Sequence, residues 1–210
     1  MNRWLIILAF GMVSGCSADL EAARVLSMAH PVSSSDMDPA NVVFVPQTDR
    51  LRAASESLGI SLWARRENAE NVALLAHDYP AVFFGFHGAQ FKWEVRYANG
   101  RGASCYADPA FVAELDRWYH MAATFNGYVV RLFVDGEEIC TNLTRGGALA
   151  LSDAPWTIGG YETKEGEIID LLVGDIVSLE VFDAVPSSAQ LRAMAEAVPE
   201  QVAADRAARR

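Results

Sequence analysis

The chain has 210 residues, 51% apolar and 21% charged, and its 17 Lys and Arg against 27 Asp and Glu leave a net charge of −10. A length and composition of this kind suit one domain with a full core. The acidic balance argues against a partner such as nucleic acid, or an anionic surface, held by nonspecific attraction.

The chain opens with MNRWLIILAFGMVSGC, which has one positive charge, Arg3, followed by an apolar run from Trp4 to Val13. That run is about half of the ~20 residues a membrane-spanning helix needs, so residues 1–15 are expected to be a secretory signal peptide. Its end, Val13-Ser14-Gly15-Cys16, resembles the lipobox of bacterial lipoproteins, in which the Cys becomes the lipidated first residue. The resemblance implies lipidation of Cys16. Because Ser17 rather than Asp follows, it also implies the bacterial outer membrane, with the periplasmic or surface side left open. The other reading is an ordinary signal with a chance Cys. With Cys16 committed to lipid, Cys105 and Cys140 remain as an even pair in an oxidising compartment, and a disulfide between them is the economical expectation. Two free buried thiols are the alternative.

Residues 16–40 are small and polar and read as a tether or an irregular first segment. Strands are then expected at Val42 to Val45, Gly59 to Ala64, Val72 to Ala76 and Val82 to Phe86. Phe91, Trp93, Val95 and Tyr97 alternate with Lys92, Glu94 and Arg96 before an Asn99-Gly100 turn signal. In the segment WYHMAATFNGYVVRLFVDGEEIC, Trp118 to Cys140, Asn126-Gly127 and Asp135-Gly136 are both suited to two-residue turns. A turn centred on the first pairs Phe125 with Tyr128, Ala123 with Val130, Met121 with Leu132 and Tyr119 with Val134, all apolar. The opposite, mixed face carries His120, Ala122, Thr124, Arg131 and Phe133. The second turn pairs Leu132 with Ile139 and puts Cys140 beside Arg131 on that mixed face. Further strands are expected at Trp156 to Gly160 and Ile176 to Phe182.

The end of the chain changes period. Ser187 with Gln190 fits a capping box, and Leu191, Met194, Ala195 and Val198 recur at helical spacing. Pro199 ends that helix, and residues 198–210 read as a polar tail, either solvated or a frayed helix that touches a partner. The domain is bounded at 41–197. Regular short strands predict an all-β two-sheet antiparallel sandwich with a short C-terminal helix.

Four segments come in order: GISLWARR (59–66), WYHMAATFNGYVVRLFVDGEEI (118–139), WTIGGY (156–161) and GDIVSLEVFDAVPSSAQL (174–191). They resemble the successive signature segments of laminin-G-like, concanavalin A-like lectin/glucanase domains. The resemblance spans about residues 40–196 and implies a jelly-roll-like, concanavalin A-like sandwich. It implies binding of glycans or proteins, often with calcium, and glycan cleavage in some relatives. Where such domains carry Ile-Asp-Glu late in the sandwich, this chain has Ile176-Val177-Ser178, without the acidic pair.

Catalysis by a glucanase-type mechanism needs two carboxylates on one face of a strand, which period-2 spacing provides. Glu167 and Asp170 are three apart, and Asp170 and Asp175 are five apart, so neither pair shares a face of a straight strand. The four histidines show no metal-ligand spacing. Asp153 and Asp170 are the candidate ligands for calcium, because they fall in loops beside strands. Trp63 and Trp93 are expected in the core, and Trp118 in the core or on the mixed face. Trp156, Tyr161, Tyr79, His120 and Arg131 are the candidate ligand-binding residues, as rings on which sugar faces stack or as polar partners. The expectation is a lipid-anchored, lectin-like module without catalysis, whose partner is a glycan or an envelope protein. The alternatives are a structural subunit docked on another envelope protein and a glucanase-type enzyme.

Overall fold

The computed structural model describes residues 18–28, 30–78, 81–144 and 146–209. Its elements run α1 (Ala18–Ala23), β1 (Arg24–Ser27), β2 (Val32–Ser34), β3 (Val43–Val45), α2 (Asp49–Ala53), β4 (Leu58–Arg66), β5 (Val72–His77) and β6 (Val82–His87). They continue with β7 (Gln90–Arg96), β8 (Gly102–Tyr106), β9 (Tyr119–Phe125), β10 (Val129–Val134), β11 (Glu137–Leu143), β12 (Trp156–Ile158), β13 (Tyr161–Glu162) and β14 (Ile168–Ile169). β15 (Gly174–Phe182), α3 (Ser188–Glu196) and α4 (Glu200–Ala208) complete the chain order.

Two antiparallel sheets face each other. Sheet A has the order β1-β15-β4-β9-β10-β11, with β2 also paired to β15, and sheet B has the order β3-β12-β5-β6-β7-β8. Strand alternation sends Ile60, Leu62, Met121, Ala123, Phe125 and Leu132 of sheet A inward against Phe84, Phe86, Phe91, Trp93 and Val95 of sheet B. Trp93 is fully buried in this layer and satisfies its indole N–H on the Thr124 carbonyl across the sandwich, at 3.2 Å.

The Asp135-Gly136 turn forms as expected, with positive φ at both residues (51° and 82°). The Asn126-Gly127 turn does not. The Asn126 side chain accepts from the Tyr128 and Val129 amides at 3.1 and 2.8 Å, which widens the loop and pairs Phe125 with Val130 instead of Tyr128. The slip is two residues, so side-chain parity is kept and the apolar row still faces the core. In the next hairpin a bulge between Leu132 and Phe133 turns Cys140 opposite Leu132 rather than Arg131. That corrects the face of Cys140. It now points inward from edge strand β11 and is joined to Cys105 of edge strand β8, Cα–Cα 5.7 Å, fastening the two sheets at one side.

Two boundaries also move. Residues 18–40 are not a free tether: Leu20 is buried, and β1 and β2 pair with β15. The expected polar tail is α4, whose Val202 is fully buried on sheet A. A 3.6-residue period is hard to see there because α4 inserts one apolar side chain and otherwise contributes polar contacts. The Ser187 capping box forms and starts α3. Cys16 lies outside the described residues, as does the rest of the expected signal.

Candidate functional site

The outer face of sheet A is closed where α3 and α4 cross it. Trp63, Trp118, Val177 and Val202 form one cluster beneath α4, and Ala122, Phe133 and Leu191 form another beneath α3. Trp118 Nε1 donates to Asp205 at 2.8 Å, and Arg206 donates to the Trp118 carbonyl while its guanidinium lies 4.9 Å over the Trp63 ring. Arg65 pairs with Asp175, and Ser33 caps the same carboxylate. His120 sits in this layer, 1% exposed, with Nε2 2.9 Å from Ser61 Oγ. Burial lowers its pKa to about 4, so it is neutral at physiological pH. Its place as a ligand-binding candidate is therefore corrected: helix-covered, it packs. Arg131 is half-exposed on this same side of the sandwich, 3.6 Å from Glu138.

The outer face of sheet B is built differently. One cross-strand row runs Phe44, Thr157, Ala76, Phe83, Glu94, Ser104. Small residues at Ala73, Ala76 and Gly85 make a trough, and the β13–β14 hairpin lies in it, with Tyr161 and Ile169 packed on Ala73, Ala76 and Phe83. Gly85 is obligatory there, because a Cβ would stand 2.0 Å from the Val72 carbonyl oxygen. Lys92 lies between the Phe83 and Tyr106 rings, 4.6 and 5.6 Å from their centroids, and pairs with Glu94 at 2.6 Å.

Beside the hairpin the trough opens into a cleft of about 270 Å³, lined by Asp78, Thr157, Tyr161, Glu162, Thr163, Lys164 and neighbouring backbone. Phe44 stands on β3 directly across from Thr157, which lines the cleft, and is 45% exposed on the same outer face. Hydroxyl, carboxylate, ammonium and ring are thus brought together in one concavity. Such a set suits a polyhydroxylated ligand with an apolar face.

Among the described residues that the sequence singled out, Tyr161 alone lines the cleft. Trp156 is a correction: it is fully buried, its ring is 4.8 Å from His77, and its N–H is spent on Gln47 at 3.0 Å. The strand that carries it alternates inward at Trp156 and Ile158, so Thr157 is the residue presented outside. Tyr79 lies outside the described residues. Asp153 ion-pairs with Arg52. Asp170 is half-buried, and burial raises its pKa against the opposing pull of Lys92 and His87. Among the described residues no three His, Cys, Asp or Glu side chains are grouped to hold a metal. Asp170 and Asp175 are on opposite outer faces of the sandwich, and Glu167 is on the exposed hairpin turn. Ser178, at the departure Ile176-Val177-Ser178, occupies a bulge of β15 with φ 54°.

Phe44, Asp78, Glu162 and Lys164 were missed. For Phe44 the signal was present: inward Val43 and Val45 leave Phe44 outward by parity. For the others it was not, because the cleft exists only once the hairpin folds onto sheet B.

The solved structures most usefully compared are toxin binding domains. The binding domain of paraclostridial mosquitocidal protein 1 superposes with a TM-score of 0.62 at 10% identity, covering 82% of this chain and 46% of that one. The binding domain of botulinum neurotoxin serotype G gives 0.60 at 9% identity, covering 79% and 42%. That of botulinum neurotoxin DC, solved in complex with SialylT, gives 0.59 at 14% identity, covering 83% and 47%. This chain thus spans less than half the length of each, and at such identities the likeness is one of fold. Comparison with curated proteins gave no match. The family model described as the concanavalin A-like lectin/glucanases superfamily matches residues 40–192, and the chain belongs to that family.

Proposed function

We propose that this chain is a non-catalytic binding module that takes a glycan in the cleft beside the β13–β14 hairpin, held at the bacterial outer membrane by a lipid on Cys16. The observation that carries the reading is the cleft itself, lined by Tyr161, Asp78, Thr157, Glu162, Thr163 and Lys164, with exposed Phe44 on the strand across from Thr157. Phe44 supplies an exposed ring for the C–H face of a sugar, Tyr161 is packed into the wall, and the polar groups exchange hydrogen bonds with the hydroxyls. The sandwich beneath is rigid, so its loops are free to carry function without carrying stability.

The test is a glycan-array screen of the soluble chain from residue 17, with and without calcium, repeated with Phe44→Ala and Asp78→Asn. Binding that both substitutions abolish supports the cleft as the site; binding indifferent to both removes it. Mass spectrometry of the exported protein checks the anchor, and an unmodified Met1 terminus would sink it.

A second reading, docking onto another envelope protein, is favoured by Phe111, Val112 and Leu115, exposed together in the loop between β8 and β9. Crosslinking in intact cells that depends on these three residues, alongside a silent array, would select it.

A further inference from the structure

We infer that the cleft selects glycans that carry no anionic groups. The inference rests on the reading of the cleft as a glycan site. Asp78 and Glu162 line it, and Glu165 and Glu167 stand exposed on the same β13–β14 turn, against one ammonium, that of Lys164. None of the four carboxylates shares an ion pair with a described residue. The cations nearby do not offset them. Lys92 is buried between two rings and paired with Glu94, and Arg52 is held by Asp153, next to Ala154 of the cleft wall.

A ligand carboxylate or sulfate entering here meets several negative charges without an ion-pair partner among the described residues, each felt over about 8 Å at physiological salt. The net charge of −10 reinforces the same sign at longer range. Neutral sugars meet the opposite situation. Their hydroxyls donate, and ionised carboxylates are strong acceptors, so the groups that repel an acidic glycan hold a neutral one. Asp78 and Glu162 thereby become specificity-determining residues, and Glu165 and Glu167 set the field at the entrance.

The test is calorimetric titration of the full mature chain in detergent micelles with two panels. One contains neutral gluco-, manno- and galacto-oligosaccharides; the other contains oligogalacturonate and a sialylated trisaccharide. A neutral saccharide is expected to bind, with the acidic panel at least about tenfold weaker at low salt and the gap narrowing as salt rises. Glu165→Lys with Glu167→Lys is expected to bring the acidic panel up by about tenfold. Preference for acidic saccharides in the unaltered chain, abolished by Phe44→Ala, would overturn the charge selection and leave the cleft as a glycan site. Absence of binding by both panels would overturn the inference together with the reading beneath it.

Discussion

The two outer faces of the sandwich start from similar materials and end in opposite states. Sheet A presents Trp63, Trp118, His120 and Arg65 outward, and sheet B presents Phe44, Phe83, Lys92 and Tyr106. Either set, read alone, describes a surface made to bind a sugar. On sheet A, α3 and α4 return from the end of the chain and cover it, and Arg65, Asp175, Trp118 and Arg206 spend their polar groups on one another or on α4. On sheet B the covering element is a two-stranded hairpin too short to reach across, and a cleft stays open at its side. Composition of a face therefore does not decide its role; what packs on it does.

That contrast is most sharply broken through the Arg65–Asp175 pair. Arg65→Met strands a buried carboxylate on the closed face and is expected to cost about 3–5 kcal/mol in urea unfolding. A loss below about 1 kcal/mol would mean that water reaches this layer.

Acid is the next probe. His120 has a folded pKa of about 4, against about 6.5 when unfolded, so between those values the unfolded chain takes up a proton that the folded chain refuses. Stability is full above pH 6.5 and falls as pH drops towards 4, by up to about 3 kcal/mol for this one group. His77, also lowered to about 4 chiefly by burial, adds a similar slope. His120→Gln should remove roughly half of the histidine-linked loss; an unchanged pH profile would show that His120 is not sealed.

Smaller again is the contribution of α4. Val202→Asp is expected to release the helix and forfeit about 2 kcal/mol of apolar burial, with a red shift in tryptophan emission as Trp63 and Trp118 meet water. Unshifted emission would argue that the helix is held by its polar contacts alone. At the low end, Phe44→Ala on the open face should leave stability within about 0.5 kcal/mol while removing glycan binding. A large loss of stability instead would make Phe44 core and close the comparison.

Much of the scaffold was legible from local pattern. Alternation in 91–97 and 119–125 specified which side chains point inward, and even the misjudged Asn126-Gly127 turn preserved that assignment because its slip was two residues. The bulge beside Leu132 was not legible, and it reversed the face of Cys140. Trp156 and Phe44 show the same limit at the site: an aromatic was sought where the strand turns inward, and one was overlooked where it turns outward.

By itself the sequence determined the strands, the sandwich and the C-terminal capping box, since period, turn residues and caps act over a few neighbouring positions. Tertiary structure decided which face is covered, where Cys140 points and that a cleft exists at all. These depend on elements distant in the chain, α4 on β4 and β15 and the β13–β14 hairpin on β5, and on packing that accepts or refuses them one side chain at a time.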